Sequence, residues 1–155
     1  MPDSYNNTYL LVSGIFLRLL GVIYLVAFAS IGVQIDGLIG SQGILPIAER
    51  LDELAQHGDI EHFLHVPTLF WIDAGDATLI GAAGAGCLAA LLILLNIGQR
   101  AALIAAFVLY LSLFHAAQPF LNFQWDALLL ESGFLAIFLT PRSRVVIWLF
   151  RWLLF

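Results

Sequence analysis

Long apolar runs separated by short polar segments dominate the hydropathy pattern of the chain. A membrane-spanning helix needs about 20 mostly apolar residues to cross about 30 Å of hydrocarbon. Four runs predict such helices at 10–33, 77–97, 101–121 and 123–140. A fifth, 145–155, covers only roughly 16 Å, so it predicts either an interfacial helix or, as we favour, the start of a longer one. The pattern predicts an all-α membrane protein whose residues 1–155 form one transmembrane domain, a bundle of four transmembrane helices plus a partial fifth.

The composition excludes most soluble classes of protein. Hydrophobic residues make up 61% of the chain and charged residues 11%, whereas a soluble domain carries about a quarter charged residues. The one cysteine cannot form an internal disulfide or a dithiol pair. Six arginines without a lysine, at a pI near 5.1, offer no basic stripe for nucleic acid. The lipid bilayer is therefore the expected partner.

The arginines predict the orientation of the bundle. Arg100 lies between the second and third runs, and Arg142 and Arg144 follow the fourth, so both turns lie on one side of the membrane. The positive-inside rule makes that side cytoplasmic, and the N-terminus with it. The loop 34–76 is then exoplasmic, and it carries eight acids against the single Arg50. The lysine-free, alanine-rich composition favours a bacterial inner membrane, with the endoplasmic reticulum as the eukaryotic counterpart.

The exoplasmic loop holds two local patterns. Residues 45–56, with Pro46 in the first turn, have apolar and polar positions spaced as in a short amphipathic helix. We expect this helix to lie on the membrane, to cap the bundle or to bind a partner. Residues 34–46 contain three glycines within seven positions, which predicts an irregular turn packed against the bundle end.

Three histidines also lie in this loop, at His57, His62 and His65. Histidine and carboxylate together bind zinc in many proteins, but this spacing matches no established ligand motif. We therefore expect solvated loop histidines, with a metal site as the alternative, and we expect no cofactor.

Arg18, His115 and Glu131 lie well inside the apolar runs. Arg18 lies roughly 12 Å inside the first run, where it either extends to the cytoplasmic surface or pairs inside the bundle. His115 and Glu131 are expected at a similar depth from the exoplasmic side, on adjacent helices. Such a pair is either a packing contact between helices or an acid–base couple.

The sequence resembles the lipase maturation factor family. The resemblance rests on GLIGSQGILP at 37–46, PTLFW at 67–71 and RWLLF at 151–155. The most specific stretch is NFQWDALLLESGFL at 122–135. Members are multi-span membrane proteins that act in protein maturation in a chaperone-like way.

The resemblance implies that the chain assists the folding of exported lipases at the exoplasmic face, here as the membrane-anchor part. The alternative is a membrane enzyme acting on a lipid or acyl substrate, with His115 and Glu131 as acid and base; an enzyme is the less favoured of the two. The residues expected to make interior polar or binding contacts are Arg18, Gln34, Asp76, Gln124, Asp126 and Glu131.

Overall fold

A computed structural model describes residues 2–56, 66–139 and 144–153, and the side chains of 9–56, 66–139 and 145–153. The described residues form helices and connecting turns, without a strand, so the predicted helical class is confirmed. The helices are α1 (Pro2–Ile39), α2 (Ile47–Gln56), α3 (Asp76–Leu95), α4 (Gln99–Ala116), α5 (Gln124–Ile137) and α6 (Arg144–Leu153), with a 3₁₀ turn at Leu69–Trp71.

Three described segments are long and apolar enough to cross a membrane. They are Tyr9–Ile39 within α1, all of α3 and all of α4. Helix α5 has 14 residues, or roughly 21 Å, and α6 has 10. The fourth span and the partial fifth therefore stay predictions, and their ends at Thr140 and Phe155 lie outside the described residues.

Helix α1 is longer than the apolar pattern predicts. The expected span ends at residue 33 and gives way to a turn, whereas α1 continues to Ile39 with Gly37 inside the helix. A glycine costs a helix about 1 kcal/mol, which the burial of Ile35 and Ile39 on either side offsets. The turn itself begins at Gly40, where a Cβ atom would lie 2.5 Å from the Asp36 carbonyl oxygen.

Helices α1 and α3 pack antiparallel along most of their length. Gly86 of α3 sits against the Phe28 ring, where any side chain would overlap the ring. Gly21 of α1 lies against the α3 backbone at Ala90. The neighbouring Gly81, in contrast, has nothing within 4 Å of a Cβ position. Of the small residues in α3, Gly86 is thus the glycine that permits close helix approach.

The bundle has two ends. The loop end comprises residues 40–46, α2, the 3₁₀ turn, the starts of α3 and α5 and the end of α4. The turn end comprises the α3–α4 turn, the end of α5 and α6. Two left-handed residues, Asn96 at φ 60° and Gly98 at φ 54°, form the α3–α4 turn, and both types tolerate that conformation.

Candidate functional site

Three aromatic rings and one carboxylate meet where α1, α4 and α5 join. We call Tyr24, Phe28, Tyr110 and Asp126 the aromatic centre. All four side chains are fully buried. The Tyr110 ring stands edge-on to Tyr24 and to Phe28, with ring centroids 5.8 and 5.5 Å apart. Edge-to-face packing of this kind adds stability beyond the buried area.

Asp126 is the carboxylate of the aromatic centre. Its Oδ1 accepts a 2.6 Å hydrogen bond from the Tyr110 hydroxyl, and its Oδ2 accepts a 3.3 Å bond from the Phe123 backbone N–H. Asp126 also lies in the first turn of α5, where the helix dipole favours negative charge. Two donors and the dipole together offset the cost of burying this carboxylate.

A second hydroxyl joins α1 to α5. The Tyr24 hydroxyl donates to the backbone carbonyl of Leu129, 3.3 Å away. Gly133 makes room for that hydroxyl, since a Cβ atom at Gly133 would overlap it. The aromatic centre therefore fixes the positions of three helices relative to one another.

At the loop end, carboxylates hold the start of α3. The Asp76 carboxylate accepts hydrogen bonds from Ser41, at 2.7 Å from the backbone N–H and 2.6 Å from the hydroxyl. Asp73 accepts from the Thr78 hydroxyl and from the Gly75 N–H. The Thr78 bond, followed by the Gly75 bond, holds the pKa of Asp73 below its ordinary value. These contacts fasten the turn after α1 and the loop before α3 to the bundle.

Helix α2 and the 3₁₀ turn are held to the end of α4. Arg50 of α2 donates a 3.0 Å hydrogen bond to the Gln118 side chain. The Thr68 hydroxyl donates to the Ser112 carbonyl at 3.1 Å, and the Ser112 hydroxyl accepts from the Leu69 N–H at 3.2 Å. The loop end is thus a surface built from several segments and fixed by polar contacts.

Apolar side chains are exposed on this same loop end. Ile44, in the turn before α2, is 73% exposed, and Ile72, after the 3₁₀ turn, is 86% exposed. Phe123 and Trp125, at the start of α5, are exposed as well. Aromatic residues at a helix end are typical of a membrane–water interface, whereas exposed isoleucines outside the spans offer a surface for an apolar partner.

Other predicted site residues lie away from the aromatic centre. Gln34 is exposed and donates to the Ser30 carbonyl of its own helix. Gln124 is also exposed. Arg18 is exposed and lines a cleft together with Asn96. Because Asn96 caps the end of α3, Arg18 lies level with the α3–α4 turn, and its depth of roughly 12 Å in the membrane stays a prediction.

The structure does not bring His115 and Glu131 together. His115 lies five residues beyond Tyr110 toward the loop end, and Glu131 lies five residues beyond Asp126 toward the turn end. Since Tyr110 and Asp126 are in contact, the two residues are separated by roughly 15 Å along the bundle axis. Glu131 is exposed on the outside of α5, and His115 Nδ1 has no hydrogen-bond partner among the described residues. The alternative acid–base reading therefore has no support.

The loop histidines His57, His62 and His65 lie outside the described residues. Within the parts of the chain that the structure describes, no group of three His, Cys, Asp or Glu side chains could hold a metal ion. The zinc alternative at these histidines therefore stays a hypothesis.

Sequence reasoning did not single out the partners that satisfy these carboxylates. Tyr110 and Tyr24 read as ordinary apolar positions, and Ser41 reads as a turn residue. The available signal for Tyr110 is its position in the helix preceding the one that carries Asp126, only 16 residues away in sequence. A buried carboxylate needs a donor, and a tyrosine on the adjacent antiparallel helix is the residue to look for.

Similarity to known proteins extends over almost the whole chain. Residues 11–155 match the profile of the family described as the lipase maturation factor transmembrane domain. Lipase maturation factor 2 of Gallus gallus is 41% identical over an alignment of 161 residues. That alignment covers 91% of this chain and 22% of the relative. Lipase maturation factor 1 of Bos taurus is 36% identical over 169 residues, covering 96% and 30%. The chain spans less than a third of the length of these relatives, and no solved structure matches it.

Proposed function

Because the chain belongs to the lipase maturation factor family, we propose that it is a multi-pass membrane domain that assists exported lipases to mature. The observation that carries the proposal is the match of residues 11–155 to the family's transmembrane domain. The relatives are several times longer than this chain. Its contribution is therefore that of an anchor which also presents a structured loop end to the client.

The proposed topology has four spans, with α5 as the fourth. The N-terminus and the turn end lie in the cytoplasm, and the loop end faces the periplasm of a bacterial inner membrane. Arg18 and Arg100 lie at the turn end, which the positive-inside rule favours for the cytoplasm. An exported lipase folds on the exoplasmic side, so it meets the loop end.

Ile44 and Ile72 are the residues we propose for client contact. Both are exposed, and both stand beside segments that Asp76 and Ser112 hold in place by hydrogen bonds. A fixed surface bearing exposed apolar side chains binds the apolar segments that an incompletely folded polypeptide exposes. It does so without ordering a loop at the moment of binding, which would weaken the contact.

We propose that the predicted polar residues have structural rather than catalytic roles. Asp126 and Asp76 position helices through the bonds described above, whereas Gln34, Gln124 and Glu131 lie on the outside of the bundle. Exposed polar groups at the outer surface of a membrane domain are suited to contacts with further helices or headgroups.

The test is lipase maturation with an exported lipase as the only client. We expect co-expression of the chain to raise the activity of the secreted lipase per unit of lipase protein. The double variant Ile44→Ser/Ile72→Ser should lose most of that gain, because it removes the apolar contact and leaves the polar contacts intact. Membrane levels of the chain are measured in parallel.

The matched control is Ile97→Ser, since Ile97 is also exposed but lies at the turn end. It should keep the full gain. Equal losses for the two variants would refute client contact at the loop end, and no gain with the unmodified chain would refute the proposed function of these residues.

A further inference from the structure

The turn end contains a cleft of about 270 Å³ whose lining is part polar and part apolar. Arg18, Asn96, Gln99 and Ser13 are its polar lining residues, and Leu139 forms part of its wall. The cleft therefore offers one positive charge and several hydrogen-bond donors at the level where α3 ends and α4 begins. A positive charge and hydrogen-bond donors are the groups that bind an anionic oxygen group such as a phosphate.

None of the carboxylates whose side chains the structure describes makes an ion pair with Arg18, which is exposed. Asn96 and Gln99 are uncharged, and the nearby Arg100 adds to the positive charge of this end. An arginine lining a cleft with uncharged donors is suited to bidentate binding of a phosphate group.

An apolar groove of about 580 Å³ adjoins the cleft. Helices α1, α5 and α6 line it, mainly through residues such as Phe16, Leu128 and Phe150. Ser13 and Leu139 line both the groove and the cleft, so the two spaces are neighbours that share a wall. On one side the groove extends from Leu139, just after α5, to Leu128 within that helix. Along α1 it extends from Tyr9 to Ile23, roughly 21 Å, which exceeds the roughly 15 Å of hydrocarbon in one leaflet.

We infer that the cleft and groove together bind an anionic phospholipid of the leaflet at the turn end. The phosphate group lies against Arg18, and one acyl chain follows the groove between α1 and α5 toward the middle of the bilayer. The groove is long enough for the acyl chain of one leaflet, and the positive charge of Arg18 fits an acidic headgroup. Basic pockets between membrane helices on the cytoplasmic side bind acidic lipids in this manner.

Trp148 and Trp152 of α6 are consistent with a lipid headgroup at the turn end. Both are exposed, and their rings lie 5.4 Å apart on the helix that contributes Ile147 and Phe150 to the groove. Tryptophan is enriched at the membrane–water interface. The Phe150 side chain of the same helix packs edge-on to Phe16, with centroids 5.1 Å apart, so α6 forms the interfacial wall of the groove.

The test uses the chain purified in mild detergent and exposed to an equimolar mixture of phosphatidylglycerol and phosphatidylcholine. Native mass spectrometry then counts the bound lipid of each kind. We expect phosphatidylglycerol to be enriched, and Arg18→Gln to reduce that enrichment roughly tenfold, as the loss of a charge-assisted hydrogen bond implies. Arg100→Gln, which removes an exposed arginine outside the cleft, should change it less than twofold.

A second variant tests the groove. Ser132→Leu fills part of it and should lower the total number of bound lipids, whereas Ser30→Leu, at an exposed position outside the groove, should not. Circular dichroism verifies that each variant keeps its helix content. Equal effects of Arg18→Gln and Arg100→Gln would reduce the binding to general surface charge and overturn the inference. Recovery of lipid-free dimers would overturn it too, because a second copy would then occupy the groove.

Discussion

Removal of the Tyr110 hydroxyl should destabilise the bundle more than removal of the Tyr24 hydroxyl. Tyr110→Phe deletes one of the two donors to the fully buried Asp126 carboxylate. Tyr24→Phe deletes a donor to the uncharged carbonyl of Leu129. Both changes keep the aromatic ring, so neither leaves a large cavity.

The geometry of each hydrogen bond sets the expected loss in the free energy of unfolding. A hydrogen bond to a charged group contributes about 1.5 to 3 kcal/mol, and the 2.6 Å distance between Tyr110 and Asp126 is short. Hydrogen bonds between membrane helices average about 0.6 kcal/mol and reach about 1.7 kcal/mol. We therefore expect about 1.5 to 2 kcal/mol for Tyr110→Phe, and about 0.5 kcal/mol for Tyr24→Phe, whose bond is 3.3 Å long.

The assay is unfolding in mixed micelles of mild detergent and dodecyl sulfate, followed by circular dichroism. A double-mutant cycle with Asp126→Ala isolates the pair. In the Asp126→Ala background, Tyr110→Phe should have little effect. Equal losses for the two tyrosine variants, or a full Tyr110→Phe effect without Asp126, would refute this reasoning.

Two further predictions concern close packing and pH. Gly86→Ala should destabilise the chain by about 1 to 3 kcal/mol, because the added methyl group overlaps the Phe28 ring, whereas Gly84→Ala, with open space around it, should be neutral or slightly stabilising in the same unfolding assay. The folded pKa of Asp73 is lowered, chiefly by the hydrogen bond from Thr78. Its contribution is therefore complete above the ordinary pKa and is lost as the pH falls below about 3.8 through the folded value. The protection factors of the backbone amides at the start of α3, which correct for the pH dependence of intrinsic exchange, should fall in that range, and Asp73→Asn should abolish this pH dependence. Unchanged protection factors across the range in the unmodified chain would contradict the assignment.

The sequence predicted the helical class because long apolar runs have few alternatives in a membrane. It placed α3 and α4 to within a few residues at their starts, where polar residues mark the boundaries. It failed at the end of α1, since the glycine at position 37 favoured a turn although the helix continues through it to Ile39. Tertiary packing of Ile35 and Ile39 overrides the local preference there.

The relative level of His115 and Glu131 was the quantity that sequence reasoning estimated least well. Both were located by counting from the nearest end of an apolar run, which assumes that each run begins at the membrane boundary. The packing partners decide the level instead, and the Tyr110–Asp126 contact separates His115 from Glu131. The tyrosine partner of Asp126 could not be predicted for the same reason, because the length of an apolar run does not determine the register between neighbouring helices.

The side of the membrane on which the loop end lies tests the central claim most directly, because a surface for exported lipases must be exoplasmic. In a Cys87→Ala background, Gln42→Cys places a thiol at an exposed loop-end position and Arg100→Cys places one at the exposed turn end. A membrane-impermeant thiol reagent is applied to intact cells and to permeabilised cells. The account predicts labelling of Gln42→Cys in intact cells and of Arg100→Cys only after permeabilisation. The reverse pattern would contradict it.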